Sequence, residues 1–212
     1  MTTESLLVTH SALTPKSDQR GCQVDACCVE WFDKRDSLTI PNAPPHLVDL
    51  SFAGDDLNFL ARVVYAEASG SAQVKDQVIR LQEKKAIIHV LYNRLNVIGF
   101  DPNSWTKGKF QSFLGVASAV KKTPAGLFGT QFESVIGPTG NGTAKFNASA
   151  HPRYLELKKF ECADLAESLQ AVKVFTQEGR DPKIDYDNFR AVGIKAPSGQ
   201  TVIGRNRFWK MK

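Results

Sequence analysis

The sequence has no long run of apolar residues. No stretch approaches the roughly 18 to 20 apolar residues that cross a bilayer, and the first ten residues lack both the basic start and the apolar core of an export signal. We therefore expect a chain made in the cytoplasm without a membrane span or a standard signal peptide. The 212 residues, 42% of them hydrophobic, are enough to bury a sizeable core.

Metal-ligand spacing is also missing. Three of the four cysteines, Cys22, Cys27 and Cys28, lie in one short segment, and their C-x4-C-C spacing matches no common zinc motif. The four histidines add no ligand pattern, so we expect neither a metal nor a cofactor. Free thiols are the default in the cytosol, whereas a disulfide between this segment and Cys162 requires an oxidising compartment. The sequence leaves the pairing open.

A strong excess of one charge is absent as well. The net charge is +5, and the basic residues are spread along the chain apart from a few pairs and the tail. This net charge is compatible with attraction to an anionic polymer such as cell wall or nucleic acid. It is also compatible with basic residues that only face solvent. No recognition-helix, RNP-like or zinc-finger pattern accompanies the charge, so we predict no nucleic-acid partner.

Proline residues interrupt the first quarter of the chain. Pro41, Pro44 and Pro45 break any periodicity there, which predicts an irregular N-terminal arm over residues 1–53 and a folded domain over residues 54–212. A role in docking or loading is one interpretation of the arm. Its apolar side chains should hold part of it against the core. These side chains are Trp31, Phe32, Leu38, Ile40 and Leu47.

Apolar periodicity predicts three main helices. The first runs from Asp55 or Asp56, either of which can cap it, to a stop at Ser69–Gly70. A polar link over residues 71–82 should follow. The second helix is predicted over Glu83–Asn96, with Lys84, Lys85 and Arg94 facing outward or sideways and with His89 and Tyr92 near its apolar stripe. The third is predicted over Arg153–Gln177 and ends at Glu178–Gly179.

Glycine-rich segments separate these helices from short strands. Residues 103–148 are dense in glycine and phenylalanine, which predicts long loops over a groove, a short helix near residues 113–122 and a small hairpin. Residues 199–209 predict a second hairpin. The expected fold class is therefore mainly α, of the α+β kind, with long loops and a small β-hairpin.

The helical pattern of the first predicted helix ends near Glu67. Leu60, Val63 and Val64 precede it by seven, four and three positions, which places its carboxyl on the apolar face of the helix. Burial and the negative end of the helix dipole should raise the pKa of Glu67. A carboxyl that keeps its proton near neutral pH is suited to general acid catalysis. The alternatives are a side chain that reaches water at a frayed helix end and one that pairs with an arginine.

Together these segments resemble the cell wall hydrolase family typified by the spore-cortex-lytic enzyme catalytic domain. The resemblance spans residues 55–209 and implies a small lysozyme-like fold. It also implies cleavage of the β-1,4 bond between N-acetylmuramic acid and N-acetylglucosamine, with Glu67 as the acid. The family continues its glutamate with Ala-Arg-Gly-Glu, whereas this chain has Ala68–Ser71 without the arginine or the second acid. The matching segments are Leu60–Glu67, Ala86–Arg94, Gln131–Phe132, the third helix, Asn188–Phe189 and Ile203–Trp209.

A glycosidase of the ordinary kind needs a second carboxylate, either as a nucleophile or to activate water. Glu133 is the first candidate by its place in the sequence, and Asp181, Asp185 and Asp187 are the others. Without a second carboxylate, Glu67 would act alone, first as acid and then as base on the muramic 6-hydroxyl, which is lytic transglycosylase chemistry. The predicted sugar-binding residues are Gln131, Phe132, Tyr186, Asn188, Phe189 and Asn206.

A wall-cutting enzyme without an export signal needs another route to its substrate. We expect delivery into a rival's periplasm by a contractile secretion apparatus, or release by a phage-type lysis mechanism. The former implies an immunity protein in the producer. Two rival classes stay open: a non-catalytic peptidoglycan-binding protein, and an amidase that pairs Cys22, Cys27 or Cys28 with a histidine.

Overall fold

The structure is a computed structural model, and it describes residues 29–45, 47–95, 110–118, 120–122, 128–130, 132, 135–139, 143–146, 159–193 and 198–210. These residues form a mixed helix and sheet protein, which confirms the α+β class. The helices are α1 (Gly54–Glu67), α2 (Gln77–Arg94), α3 (Phe113–Ser118) and α4 (Lys159–Glu178). The strands are β1 (Ser37–Thr39), β2 (Ser51–Ala53), β3 (Val120–Lys122), β4 (Phe128–Thr130), β5 (Val135–Thr139), β6 (Thr143–Phe146), β7 (Asn188–Ala191), β8 (Thr201–Ile203) and β9 (Asn206–Trp209).

The strands form small antiparallel sheets. β1 pairs with β2, β3 with β4 and β5 with β6, while the last three strands form one sheet in the order β7-β9-β8. The hairpin predicted over residues 199–209 is confirmed as β8 and β9, with Thr201 opposite Phe208 and Ile203 opposite Asn206. The hairpin expected within residues 103–148 is also present, as β5 and β6.

The core lies where α1, α2 and α4 pack together. Leu60, Val63 and Val64 of α1 are fully buried, as are Ile87 and Val90 of α2. The apolar spacing of both helices had predicted this, because residues three or four apart share one helix face. Among the described residues, no helix is long and apolar enough to cross a bilayer.

The start of α2 differs from the prediction. The helix begins at Gln77, so the expected polar link is wrong for residues 77–82. Asp76 caps it, because its side chain accepts the backbone N–H groups of Val78 and Ile79. Lys84 and Arg94 were expected to face outward or sideways but are only 1% and 6% exposed. Both are tolerated in the interior because each has polar partners there.

The ends of α1 also correct the prediction. Ala53 occupies the N-cap position and makes no side-chain hydrogen bond to the helix. Asp56 instead accepts the N–H groups of Phe113 and Leu114, at 2.9 Å each, and so caps α3. Burial raises the pKa of Asp56, and those two hydrogen bonds oppose the rise. At the other end, Ala68 is extended, and Gly70 does not adopt the left-handed conformation that the prediction required.

The described part of the predicted arm lies against the helices. Ile40 and Leu47 are buried in the core, and Trp31, Phe32 and Leu38 pack against it, as their apolar character predicted. The Asn58 side chain accepts the N–H of Phe32 and donates to its carbonyl, both at 2.9 Å. Phe32 is therefore held by α1, while Glu30 and Asn42 bond Lys173 and Glu178 of α4. The rest of the predicted arm, residues 1–28, lies outside the described residues.

The third predicted helix is α4, and its end agrees with the prediction. Gly179 follows it with φ of 78°, and a Cβ there would lie 1.9 Å from the carbonyl oxygen of Pro41, so only glycine fits. The predicted start near Arg153 lies outside the described residues.

α3 is shorter than the predicted helix because residues 120–122 form β3. Cys162 on α4 is disulfide-bonded, which decides between the free thiol and the disulfide that the sequence left open for this residue.

Candidate functional site

Glu67 is the last residue of α1, and its side chain is half-buried. The carbonyl groups in the last turn of a helix have no partner within the helix. The Glu67 carbonyl is satisfied from outside, by the side-chain amide of Asn206 at 3.2 Å. The backbone that carries the Glu67 carboxyl is therefore held by the C-terminal sheet.

A second carboxylate, Glu83 of α2, fixes the segment that follows. Its Oε2 accepts the N–H of Ser69 at 2.7 Å, and its Oε1 accepts the Ser69 hydroxyl at 3.1 Å. The same Oε1 accepts the N–H of Arg205 at 2.9 Å and the Asn206 amide at 3.1 Å. Glu83 is fully buried, and each of these groups donates to its carboxylate. Glu83 thus joins the end of α1 to the turn between β8 and β9.

The turn between β8 and β9 requires glycine beside Glu83. Gly204 has φ of 60°, a conformation that residues with a Cβ rarely adopt. A Cβ at this position would also lie 2.6 Å from the Glu83 carboxyl carbon. The absence of a side chain therefore lets the turn approach the carboxylate closely enough for the Arg205 and Asn206 bonds.

More charged groups hold the same segment from the other side. Asp164 accepts the N–H of Ser71 at 3.0 Å. Lys84 donates to the Ser69 carbonyl at 3.4 Å and to Glu167 at 3.0 Å, and Arg80 also pairs with Glu167. Residues 69–71 are therefore tied to both α2 and α4, and the end of α1 is anchored on two sides.

Arg94, at the end of α2, links Glu67 to the start of β7. Its Nε donates to the Asp187 carbonyl at 2.6 Å and its Nη2 to the Asn188 side chain at 3.1 Å, while the guanidinium lies 5.4 Å from the Phe132 ring centre. Burial lowers the pKa of Arg94 to about 9, and the charges of Asp187 and Glu67 oppose this shift. Glu67, Arg94 and Asp187 therefore form one electrostatic group. We call this group, together with Asn188, the candidate site.

Asn93, the neighbour of Arg94, positions the segment that leads into β7. Its amide donates to the carbonyls of Ile184 at 3.1 Å and Tyr186 at 2.8 Å. Its oxygen accepts from Arg180 at 3.4 Å. The Asn-Arg pair that carries the family resemblance is thus a clamp between α2 and residues 184–188.

Aromatic rings pack beside the candidate site. The centres of Phe132 and Phe189 are 5.8 Å apart, those of Phe189 and Phe208 5.7 Å, and those of Tyr186 and Phe208 5.6 Å. Phe132, predicted to bind sugar, is only 2% exposed and packs within the protein. Asn206, also predicted to bind sugar, is buried and uses its amide on Glu67 and Glu83. Tyr186, Asn188 and Phe189 are half-buried and keep some surface for a glycan.

The candidate second carboxylates fall in different places. Glu133, and the predicted sugar-binding residue Gln131, lie outside the described residues. Asp181 pairs with Lys85 at 3.2 Å, and Asp185 pairs with Lys210 at 3.0 Å. Of the three described candidates, only Asp187 acts on Arg94 together with Glu67. Asp187 is therefore the described carboxylate best placed to work with Glu67.

Sequence reasoning missed Glu83 and the role of Arg94. Both are charged residues in a helical pattern, and such residues are usually solvated. The one available signal for Arg94 was the Asn-Arg pair of the family resemblance. Glu83 gave no comparable signal, because its partners come from two distant segments. Within the described ranges, no group of three or more His, Cys, Asp or Glu side chains is placed to hold a metal ion.

Comparisons with known proteins give no relative. No family model, no curated protein and no solved structure matches the chain. The function of this protein is therefore inferred from its residues and the geometry of its candidate site.

Proposed function

We propose that this protein cleaves the glycan strands of peptidoglycan at the β-1,4 bond between N-acetylmuramic acid and N-acetylglucosamine. Glu67 is the general acid, and we propose a lysozyme-like arrangement in which this acid ends a buried helix beside a small sheet. The cell wall hydrolase family that the sequence resembles supplies the substrate class. No cofactor is required for this chemistry.

The observation that carries the proposal is the fixed backbone of Glu67. A glutamate at a helix end is normally free to fray, and a loose acid is a poor catalyst because misplacement by about 1 Å can lower the rate roughly 100-fold. Here Asn206 holds the Glu67 carbonyl, and Glu83 holds Ser69 two residues later. The protein places four donors on a buried carboxylate to secure this one position.

The reaction needs a proton on the leaving oxygen and charge stabilisation at the sugar carbon. Glu67 donates its proton to the oxygen of the scissile bond. In the transglycosylase route, the resulting carboxylate then removes the proton of the muramic 6-hydroxyl, whose oxygen bonds to the anomeric carbon and gives an anhydro product. The Asp187 carboxylate stabilises the positive charge on the sugar in this route.

The hydrolytic route differs in the second step. A second carboxylate, Asp187 or Glu133, activates a water or attacks the sugar directly, and the product carries a reducing end. The residues that distinguish the two routes are therefore Asp187 among the described residues and Glu133 beyond them.

The disulfide at Cys162 bears on where the protein works. Disulfides persist in oxidising compartments such as the periplasm and are rare in the cytosol. We propose that the protein is an antibacterial effector that acts in the periplasm or cell wall of a target cell, delivered by a secretion apparatus. The producing cell then needs an immunity protein that covers the candidate site.

The second candidate function is a non-catalytic peptidoglycan-binding protein. Arg94 is the observation that favours it, because a positive charge beside a carboxyl favours the ionised form and disfavours proton donation. An amidase using Cys22, Cys27 or Cys28 is the third class, and these cysteines lie outside the described residues. The chain has four cysteines and Cys162 is disulfide-bonded, so replacing these three by Ala also removes a disulfide. Glycan cleavage per folded molecule should nevertheless stay intact if Glu67 is the catalyst.

The test is mass spectrometry of the fragments that wild type and Glu67→Gln release from purified peptidoglycan. Anhydro-muropeptides from wild type alone would support a transglycosylase that acts through Glu67. Reducing-end muropeptides would support a muramidase, and Asp187→Asn and Glu133→Gln would then identify the second carboxylate. Binding to peptidoglycan without any cleavage would reject the glycosidase and leave the binding protein.

Glu178→Gln is the matched control for Glu67→Gln. Glu178 also ends a helix, α4, but it is exposed and lies outside the candidate site. The same chemical change there should leave cleavage at the wild-type rate. Equal loss of activity in both variants would show that the assay reports overall folding and not the site.

A further inference from the structure

Two arginines lie directly opposite each other on the C-terminal sheet. Arg190 of β7 pairs with Arg207 of β9, and Val202 of β8 lies on the other side of Arg207. Residues paired in this way share one face, with Cβ atoms about 5 Å apart, and like charges at that spacing destabilise a sheet. Trp209 lies two residues from Arg207 on the same strand and thus on the same face. We call Arg190, Val202, Arg207 and Trp209 the arginine face.

The protein does not neutralise this face with its own described residues. Within the described ranges, no carboxylate forms an ion pair with Arg190 or Arg207, or with Arg205 in the neighbouring turn. The two acids that precede β7 are engaged elsewhere: Asp187 acts on Arg94 and accepts the Asn188 amide, and Asp185 pairs with Lys210. Neither arginine of this cross-strand pair therefore has an ion-pair partner within the described ranges, and an external anion would supply one.

The arginine face continues from the candidate site. Asn188, which bonds Arg94 at 3.1 Å, precedes Arg190 by two residues on β7. Two residues of a strand span about 7 Å. The opposite face of the sheet is closed, because Phe208 is fully buried. A polymer lying across Glu67 and Asn188 therefore has its next contacts on the arginine face.

We propose that the arginine face binds the carboxylates of the short peptides that hang from the glycan strand cleaved at Glu67. The identity of this ligand rests on the proposed function. Guanidinium groups bind carboxylates through two parallel hydrogen bonds, and a pair of them suits a peptide that carries several acidic groups. Val202, which is 58% exposed, and Trp209 give apolar contacts for the small side chains between those acids.

The test measures binding to two forms of the same glycan strands, one with its peptides and one from which an amidase has removed them. Removal leaves a carboxylate only on the lactyl group of the sugar. Binding is measured on the Glu67→Gln chain so that the strands stay intact. We expect peptide-bearing strands to bind roughly tenfold more tightly than peptide-free strands, with a difference that shrinks as salt is raised.

The variant Arg190→Gln/Arg207→Gln should lose this roughly tenfold preference and bind both forms as the parent binds peptide-free strands. The matched control is Lys34→Gln/Arg35→Gln, which removes the same charge from two exposed residues that already have acid partners, Asp55 and Asp33. The control should keep the preference. Equal weakening in both double variants, or a preference that survives in the arginine variant, would overturn the proposal.

Failure of the proposed function has a separate signature. If wild type cleaves neither form of the strand, the glycosidase assignment fails. The binding comparison still tests whether the arginine face binds the peptides. If wild type cleaves both forms and the arginine variant binds them as the parent does, the glycosidase stands and the arginine face does not bind the peptides.

Discussion

The two halves of α2 each hold one segment of the candidate site, and they do so by different means. The first half uses two charged side chains, Glu83 and Lys84, to fix residue 69 and the turn at residue 205. The second half fixes residues 181–188 with neutral groups, His89 and Asn93, and one arginine, Arg94. The first half should therefore depend on charge and the second on the protonation state of a histidine.

The largest expected effect on stability comes from removing the Glu83 carboxylate in the first half of α2. Glu83→Ala leaves four donors without their carboxylate, three of them in buried bonds, and each stranded donor that water cannot reach costs roughly 1–3 kcal/mol. We expect the free energy of unfolding to fall by about 3–5 kcal/mol, allowing for partial relaxation. Urea unfolding measures it. Glu178→Ala, at an exposed position, should change the free energy by less than about 0.5 kcal/mol, and similar losses in both variants would contradict the anchoring role of Glu83.

The next largest effect concerns His89 in the second half of α2, and it is a dependence of stability on pH. His89 donates from Nδ1 to the Lys85 carbonyl at 2.8 Å and accepts the Asp181 N–H on Nε2 at 2.9 Å, so its bonds require the neutral ring. Burial lowers its pKa to about 4, from a usual 6.5. Between these values the unfolded chain binds the extra proton, so the contribution of His89 is complete above pH 6.5 and declines toward pH 4. The loss is about 3 kcal/mol at about 1.4 kcal/mol per pKa unit.

Thermal or urea unfolding from pH 7 to pH 4 measures this dependence. Three charged groups near the ring, Lys85, Arg180 and Asp181, modulate the pKa of His89, so the comparison is made against a variant without the imidazole. His89→Phe should be less stable at pH 7 and should lose less stability on acidification than wild type. Parallel stability curves for the two proteins would show that other groups cause the acid sensitivity.

A smaller effect is expected from adding one methyl group at either of two glycines in the C-terminal part of the chain. Gly204→Ala and Gly199→Ala both place a side chain on left-handed backbone, with φ of 60° and 79°. Only the first brings its Cβ against Glu83, whereas nothing lies within 4 Å at Gly199. Gly204→Ala should therefore lose roughly 1–3 kcal/mol more than Gly199→Ala, because it overpacks a filled site. Glycan cleavage should fall in the first variant alone, and matching behaviour in both would argue against close packing on Glu83.

The smallest effect concerns the start of α2. Asp76 caps the helix through its side chain, and Asp76→Ala should lower the free energy of unfolding by about 1 kcal/mol. Asp76→Asn keeps a capping oxygen and should lose much less. Because Asp76 is exposed and its side chain bonds the N–H groups of Val78 and Ile79, activity per folded molecule should be unchanged. If activity falls by more than the amount of folded protein does, the Asp76 cap also helps to anchor the segments that the first half of α2 holds.

Local patterns predicted the elements better than the contacts between them. The apolar spacing of α1, the glycine after α4 and the turn residues of the last hairpin each act over a few neighbours, so the sequence alone could indicate them. The start of α2 was misplaced because the Asp76 cap precedes the apolar stripe by several polar residues. The position of Glu67 at the end of α1 was predictable for the same local reason.

The buried charges could not be read from the sequence. Lys84 and Arg94 look like surface residues, and what permits their burial are partners 83 and 93 residues away, Glu167 and Asp187. Glu83 likewise depends on Arg205, which is 122 residues away. Desolvation penalises a charge unless such partners arrive, and helical periodicity carries no information about distant partners.

The bond between Asn206 and the Glu67 carbonyl joins residues 139 positions apart. Contacts of such long range form late, because a long stretch of chain must lose its freedom before the two ends meet. Helix α1 can therefore form, with Glu67 at a loose end, well before its carboxyl is positioned. During refolding, helical signal should return first and glycan cleavage later. A partly folded molecule would then carry Glu67 without the proposed activity, and the docking of the C-terminal sheet would determine when that activity appears.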